Sequence, residues 1–353
     1  MTNSFTKAPG WTKDTSMLHA ICRLSALAPV VLLLGCQRTT VYWSEIPPGT
    51  DREERGPHSL MRWTEGDAEP ETIFPTSDNQ VKCPKPMGIA LDAERNRIFW
   101  AEPETSRIMV ADLDKREPTQ FPAPGAKVDS PGFLAIDVKT DRLFWSAQAI
   151  RRPDEPNAPE PKIQYANLSG KDRSIHNFAL GIPTPAGIAI DARNRRLFWV
   201  ALNVRGDHKQ FGILQCKSLD EPDCHAPPHS FPEIRQAYFQ HSTALTINPK
   251  SGTLMWANNG INAIAGAKIE GDRVVWSGCL NEKLKTPANS VTFDDANPPA
   301  IYYADRYPPS PRIYRGKSGA TDFQPIFNSE AHAADIQVTH DWRLRSKKPS
   351  NGQ

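Results

Sequence analysis

One short segment combines residue types that suit metal binding. Cys224 and His225 are adjacent, and His229 follows four residues later, so sulfur and nitrogen ligands for zinc lie close together. The segment is rich in proline, and Cys224 is also a candidate for a disulfide. We therefore do not expect a metal there, and we predict neither a catalytic residue nor a cofactor. No nucleophile elbow, phosphate loop or His-Glu-x-x-His helix occurs in the sequence.

Four aspartates recur at the ends of similar apolar stretches and suit two kinds of chemistry. They are Asp92, Asp137, Asp191 and Asp294. If the four stretches surround one axis, the carboxylates ring a channel and bind a cation such as calcium. The alternative, which we favour, is that each carboxylate caps the turn that follows its strand. Calcium remains the one cofactor that the sequence leaves open.

The elements that position these aspartates form a repeat. Six short strands with an aromatic core recur roughly every 50 residues. They are VYWSE (41–45), IFWAE (98–102), LFWSA (143–147), LFWVA (197–201), LMWAN (254–258) and IYYAD (301–305). Five of them follow a strand of the GIALD type, and a further strand follows each aromatic one. Each unit therefore predicts an antiparallel blade of a β-propeller.

The two ends of the chain predict how the propeller closes. The first aromatic strand, 41–45, has no GIALD-type strand before it, and DIQVT (335–339) has no aromatic strand after it. Pairing these two strands completes a sixth blade and leaves no open sheet edge. The predicted fold is all-β, a six-bladed propeller of four-stranded antiparallel blades closed by both termini.

The aromatic positions are predicted to pack between blades. They are Trp43, Trp100, Trp145, Trp199, Trp256 and Tyr303. The repeat resembles the YWTD-type propeller of lipoprotein-receptor ectodomains, a resemblance that implies a binding scaffold and not an enzyme. In that family the final Asp fixes the blade through polar contacts, whereas this chain has Ala147 and Ala201 at two of the six positions. Outside the repeated position, Trp63, Trp276 and Trp342 are predicted to serve on the surface.

The N-terminal segment predicts the subcellular location of the protein. An apolar run at 24–34 is too short to span a bilayer of roughly 30 Å and ends in Gly35-Cys36. This pattern resembles the bacterial lipobox, which implies cleavage after Gly35 and attachment of lipid to the Cys36 sulfur. A plain secretory signal is the alternative. Because residues 1–16 are polar, we expect translation to begin at Met17.

The remaining cysteines are even in number, as expected of an exported protein. Cys216 and Cys224 flank a polar turn and are predicted to form one disulfide. Cys83 and Cys279 are predicted to form the second, although their connectors need not be close together. Free buried thiols are the alternative for all four.

Composition and boundaries agree with an exported, loop-rich domain. The chain has 33 prolines and nearly equal numbers of basic and acidic residues, 42 and 40, which offers no field for nucleic acid. We predict a signal peptide at 1–35, a lipidated N-terminus and short tether at 36–40, the propeller at 41–345 and a disordered tail at 346–353. The protein is predicted to be a monomer in the bacterial cell envelope, facing the periplasm or the exterior.

Loop lengths predict where a partner binds. Connections from the second to the third strand vary between blades, whereas the first hairpin is nearly constant, so variation concentrates on one face. Charged residues of two long connections mark this predicted binding face: Arg151, Arg152, Arg205, Asp207 and His208. We favour a non-catalytic protein that binds a protein, glycan or envelope component there. The alternative is a propeller enzyme, such as a calcium-dependent lactonase or a quinone-linked sugar dehydrogenase.

Overall fold

The apolar stretches fold into six antiparallel sheets of four strands, as predicted. The structure is a computed structural model. It describes residues 38–45, 59–75, 86–148, 159–169, 172–204, 210–232, 234, 244–258, 262–281, 284, 288–294, 296, 298–305, 312–317, 322–328 and 333–341. All of them belong to one unit, Gln37–Gln353. Among the described residues, no helix has the length and apolar character needed to cross a bilayer.

Blade 1 is built from both ends of the chain, and blades 2 and 3 follow in order. Blade 1 consists of β1 (Arg38–Glu45), β2 (Ser59–Thr64), β3 (Glu71–Pro75) and, innermost, β24 (Ala333–Asp341). Blade 2 consists of β4 (Ile89–Asp92), β5 (Arg97–Glu102), β6 (Arg107–Asp112) and β7 (Thr119–Phe121), with one 3-10 turn at Pro103–Thr105. Blade 3 consists of β8 (Pro131–Asp137), β9 (Arg142–Ala147), β10 (Lys162–Asn167) and β11 (His176–Ala179).

Blades 4 to 6 repeat the same strand order, with the first strand innermost. Blade 4 consists of β12 (Thr184–Asp191), β13 (Arg196–Val204), β14 (Gln210–Ser218) and β15 (His229–Ser230). Blade 5 consists of β16 (Leu245–Ile247), β17 (Thr253–Asn258), β18 (Ala263–Glu270) and β19 (Arg273–Asn281). Blade 6 consists of β20 (Ala288–Phe293), β21 (Ile301–Asp305), β22 (Ile313–Gly316) and β23 (Gln324–Pro325).

The predicted closure by both termini is confirmed. β24 pairs antiparallel with β1, so that Val41 lies opposite Val338 and Trp43 lies opposite Ile336. β1 begins at Arg38, three residues before the predicted start of the propeller, and Arg38 pairs with Asp341. The predicted tether therefore includes three residues that belong to a strand. The predicted C-terminal boundary at 345 lies outside the described residues.

The aromatic positions form the core between blades, as predicted. Trp145, Trp199 and Trp256 have no exposed surface, and Trp43 and Trp100 are 1% and 2% exposed. Trp145 of blade 3, for example, packs with Phe99 and Ala101 of blade 2. At about 25 cal/mol per Å², a buried aromatic side chain contributes roughly 4 to 6 kcal/mol before entropy is subtracted. Packing of the indoles thus stabilises the contacts between neighbouring blades.

The prediction that three other tryptophans serve on the surface is wrong for Trp63, whereas Trp276 is partly buried. Trp63 is 8% exposed and packs with Phe327 in the core between blades 1 and 6. Trp276 lies against Trp256, with ring centroids 5.6 Å apart. Both stand on outer strands whose inner side faces a neighbouring blade, so their burial depends on tertiary packing. Trp342 lies outside the described residues.

The indole nitrogens are hydrogen-bonded in two different ways. In blades 1 and 2 they donate to a carboxylate two residues along the strand, from Trp43 to Glu45 and from Trp100 to Glu102 (3.0 Å). In blades 3 and 4, where that position is alanine, Trp145 donates to Gln164 (3.3 Å) and Trp199 to Gln215 (3.0 Å). Where the carboxylate is missing, a glutamine on the adjacent strand therefore accepts the hydrogen bond of the indole.

Candidate functional site

The predicted binding face lies outside the described residues. This applies to Arg151, Arg152, Arg205, Asp207 and His208, which were expected to mark it. Cys36 and Cys83 are also outside them. The lipid attachment, the variable loops and the second disulfide therefore stay predictions.

The predicted disulfide between Cys216 and Cys224 is not formed, and both residues are free thiols. Cys216 lies in β14 and packs into the core between blades 4 and 5. The next residue, Lys217, points to the other side of the sheet, where its ammonium donates to the carbonyls of Phe178 (3.1 Å) and Asp223. The backbone carbonyl of Cys224 accepts from the amide of Leu180 at 3.0 Å, beside the Phe178 segment that Lys217 contacts. Because successive residues of a strand face opposite sides, the Cys216 side chain points away from the side on which Lys217 meets this segment.

The Cys–His segment does not form a metal site. His229 lies opposite Cys216 in the β14–β15 pair, and its ring packs edge-on against Phe231 with centroids 4.6 Å apart. His225 sits in the preceding turn, where its amide donates to Asp223 at 2.9 Å. Across the described part of the chain, no three His, Cys, Asp or Glu side chains converge as a metal site.

The recurring aspartates cap their hairpin turns, which confirms the favoured alternative. Asp92 accepts from the amide of Arg95 (3.2 Å), Asp191 from that of Asn194 (3.2 Å) and Asp294 from that of Ala300 (2.8 Å). Asp137 accepts from the Thr140 hydroxyl and from Arg195 of blade 4 at 2.9 Å. Burial raises the pKa of Asp92, but hydrogen bonds from Arg97 and Arg95 outweigh burial and lower that pKa below its ordinary value. The four carboxylates therefore have structural partners in their own turns or in a neighbouring blade.

A groove of about 760 Å³ lies between blades 6 and 1. Its walls come from the first hairpin turn of blade 6, which carries Pro298 and Pro299, from the turn and strand around Lys317 and Pro325, and from Trp63 of blade 1. These residues lie in, or on strands next to, turns between the first and second or the third and fourth strands. The groove therefore opens on the face of the short hairpins, the hairpin face, opposite the face of the variable loops.

An ion pair crosses this groove. Arg315 of blade 6 and Glu65 of blade 1 are 3.2 Å apart, and the Arg315 guanidinium lies over the Tyr302 ring at 5.6 Å. Burial raises the pKa of Glu65, but the backbone amide of Thr39 and the Arg315 charge lower it overall. Lys317 and Asp322 are exposed at the rim. The groove thus combines apolar proline walls with charges of both signs.

A smaller cavity of about 280 Å³ lies between blades 4 and 5 and reaches Cys216, His229 and Arg196. Burial raises the pKa of the Cys216 thiol to about 11. The thiol is therefore protonated at neutral pH and is a poor nucleophile. Arg196 donates to the Gly271 carbonyl, lies 3.5 and 3.6 Å from Asp191 and Asp272, and stacks over the Phe198 ring at 5.3 Å. This cavity shows packing and not an activated cysteine.

Comparison with known proteins supports the fold. No protein-family model matches the chain. Protein cueball of Drosophila simulans is 24% identical over 234 residues, 65% of this chain and 32% of cueball, and that of Drosophila erecta is 28% identical over 137 residues, 38% and 19%. The chain spans less than a third of the length of these relatives.

Among solved structures, a chain of a nidogen/laminin complex superposes with a TM-score of 0.58 at 15% identity, covering 85% of this chain and 98% of that one. A gluconolactonase from Xanthomonas campestris reaches a TM-score of only 0.47 at 15% identity, covering 74% of this chain and 82% of the other. The chain is a six-bladed β-propeller by its own sheets, and the superposition on the nidogen-complex chain supports this fold.

Sequence reasoning missed the groove and the two glutamines. Gln164 and Gln215 each stand directly opposite the tryptophan in the third strand, where blades 1 and 2 have Met61 and Met109. The signal was present: glutamine occupies that place in the two blades whose final repeat position is alanine. The groove had no comparable signal, because residues far apart in sequence form its walls.

Proposed function

We propose that this chain is a membrane-anchored extracytoplasmic lipoprotein whose propeller binds a segment of a partner protein. The observation that carries the proposal is the groove between blades 6 and 1. Its volume, about 760 Å³, lies in the range of pockets that hold a ligand, and it presents apolar walls with a few placed charges. The propeller of similar fold comes from a nidogen/laminin complex, a protein–protein assembly, which supports a protein as partner.

The chemistry of the described residues also favours binding. The capping aspartates are occupied by turn amides and arginines, and burial keeps the Cys216 thiol protonated. The groove itself carries exposed groups that reach solvent without disturbing a blade, such as Lys317 and Gln324. Such groups adapt a surface to a partner at little cost in stability.

Capture of partners from an envelope extract tests the proposal with three versions of the full-length protein in detergent. In the first variant, Lys317→Glu and Gln324→Trp alter the groove. In the second, Lys139→Glu changes an exposed lysine on the hairpin face of blade 3, across the ring. A protein recovered by the wild type and the Lys139 variant, but reduced at least about tenfold with the groove variant, supports the proposal. Equal recovery by all three overturns it.

A fourth version distinguishes the two faces. Shortening 148–161 removes a long connection of the predicted binding face without touching the groove. Loss of the partner in this version alone assigns binding to the variable loops. Stoichiometric calcium by elemental analysis, or bound quinone by absorbance, favours the alternative of a lactonase or a sugar dehydrogenase.

The proposed anchor has its own test. Lipid on Cys36 places the protein in the cell envelope, facing the periplasm or the exterior, and several acyl chains hold it stably. Metabolic labelling with a fatty acid is expected to label the wild type and Cys22→Ser, but not Cys36→Ser. Labelling that persists in Cys36→Ser overturns this anchor while leaving the groove proposal intact.

A further inference from the structure

One innermost strand carries an acid where the other five blades have none. Asp335 of β24 directly precedes Ile336, which pairs with Trp43. The residues at the same place in the other blades are Gly88, Phe133, Gly187, Ala244 and Ser290. Asp335 is 6% exposed. A carboxylate buried at this one blade marks the strand that closes the ring.

The contacts of Asp335 connect three blades. Its carboxylate accepts from the amide of Ile89 in blade 2 (3.0 Å), from the hydroxyl of Ser290 in blade 6 (2.8 Å) and from the amide of the next residue, Ile336 (3.0 Å). Its own amide donates to the hydroxyl of Ser44 on β1 at 3.1 Å, and that hydroxyl donates to the Met87 carbonyl at 2.6 Å. Asn289 of blade 6 donates to the carbonyls of Ala333 and Ala334 beside it. The C-terminal strand is thus held at one point by both neighbouring blades.

Among the residues that the structure describes, the surroundings of Asp335 provide hydrogen bonds but no cation. The groups that face it from β1, β4 and β20 are hydroxyls and backbone amides. The ionisable side chains on the strands packed around it have other partners: Glu45 bonds Trp43, Asp92 bonds Arg95 and Arg97, and Asp305 bonds the Arg312 amide. Arg38 lies at the exposed start of β1. Burial therefore raises the pKa of Asp335 from 3.8 to about 6, despite its three hydrogen bonds.

We propose that protonation of Asp335 strengthens the attachment of the C-terminal strand to the ring. When the carboxyl is protonated, it can donate to Ser290 Oγ while the other oxygen keeps the bond from Ile89. When it loses its proton, an anion is buried at the junction, and none of the described residues around it supplies a cation. Closure of the ring is then firmest in acid and weakens as the medium approaches neutrality.

The direction of the pH effect on ring closure follows from the different proton affinities of Asp335 in the closed and open strand. The closed strand binds the Asp335 proton more tightly than the open strand, in which water surrounds the carboxyl and its pKa returns towards 3.8. The stabilising effect of the proton is complete below about pH 4 and is lost as the pH rises through about 6. The equilibrium constant for opening of β24 should therefore rise by up to about a hundredfold between pH 4 and pH 7, since each pKa unit is a factor of ten.

Hydrogen exchange of the full-length protein tests this, with rates corrected for the intrinsic pH dependence of amide exchange. The β24 and β1 amides should show the rise in opening, whereas those of β12 and β13 in blade 4 should not. A flat profile for β24, or an equal rise in blade 4, overturns the proposal. This first measurement needs no variant.

Two variants then assign the effect to the carboxyl. Asp335→Ser introduces the residue that blade 6 has at this place, and Asp335→Asn keeps the shape of the side chain. Both should flatten the β24 profile between pH 4 and pH 7. Asp322→Asn, at an exposed carboxylate of blade 6, should leave that profile unchanged. A wild-type profile in a folded Asp335 variant contradicts the assignment.

Discussion

In blade 2 the buried indole of Trp100 donates to a carboxylate on its own strand, whereas in blade 3 the indole of Trp145 donates to an amide on the adjacent strand. Glu102 also accepts from the Thr105 hydroxyl (2.9 Å) and pairs with Arg107 (3.0 Å). The side-chain amide nitrogen of Gln164 instead donates a hydrogen bond to the side-chain oxygen of Asn177 at 3.0 Å. A buried N–H needs an acceptor, but its place in the repeat can change. Blade 2 meets this need with a charged network and blade 3 with a neutral one.

Removing the charged acceptor should have the largest effect. Glu102→Ala leaves the Trp100 N–H buried without its acceptor and takes a partner from Thr105 and from the part-exposed Arg107. We expect the free energy of unfolding to fall by about 2–3 kcal/mol, since hydrogen bonds to charged groups are the stronger ones. Denaturant titration followed by tryptophan fluorescence measures this. The exposed Glu117→Ala is the matched control, and equal losses in the two variants would contradict the network.

Removing the neutral acceptor should cost less. Gln164→Ala leaves the Trp145 N–H without its acceptor and Asn177 without one donor, but no charge is stranded. The expected loss is about 1–2 kcal/mol by the same titration. Gln324→Ala, at an exposed glutamine of blade 6, should change stability by less than about 0.5 kcal/mol. If Gln164→Ala lowers the free energy of unfolding as much as Glu102→Ala does, the charge of Glu102 adds nothing to stability.

These two blades also show what sequence can predict and why the rest escapes it. The repeat sets blade number, closure and turn capping, because each depends on residues close in sequence or on a pattern repeated six times. The partner of the indole depends on which side chain lies across the strand pair, and so Gln164 was overlooked. Cys216 and Trp63 were misjudged for the same reason, since the direction in which a strand faces decides their burial. Asp335 and the groove depend on contacts between chain ends.

Replacing the glutamine acceptor of blade 3 by a carboxylate like that of blade 2 tests whether the two kinds of indole acceptor are equivalent. Ala147 stands where Glu102 does, and Lys162 lies opposite it in the strand pair, as Arg107 lies opposite Glu102. Ala147→Glu combined with Gln164→Ala should therefore recover about 1 kcal/mol of the loss seen with Gln164→Ala alone. Ala147→Glu by itself should destabilise by about 1–3 kcal/mol through overpacking.

Blade 4 supplies the control for this exchange. There Ala201 lies opposite Ile213, so the residue across the strand pair from a new carboxylate is apolar and not a cation. Ala201→Glu with Gln215→Ala should recover nothing relative to Gln215→Ala. Recovery in blade 4 equal to that in blade 3 would mean that the opposing lysine is irrelevant. A thermodynamic cycle from denaturant titrations gives both values.

The smallest effect is expected where a charged contact between these same blades is exposed to solvent. Arg95 of blade 2 and Asp141 of blade 3 are 2.6 Å apart, with side chains 39% and 26% exposed. Asp141 has a φ of +57°, which asparagine tolerates, so Asp141→Asn removes the charge without straining the turn. Exposed pairs contribute about 0.2–1 kcal/mol, and at about 1 M salt the Debye length is only about 3 Å. The loss on substitution should therefore stay below about 1 kcal/mol at low salt and vanish at high salt, whereas the loss in Gln164→Ala should be the same at both. A loss in Asp141→Asn that persists at high salt would show that the aspartate acts through its turn and not through the neighbouring blade.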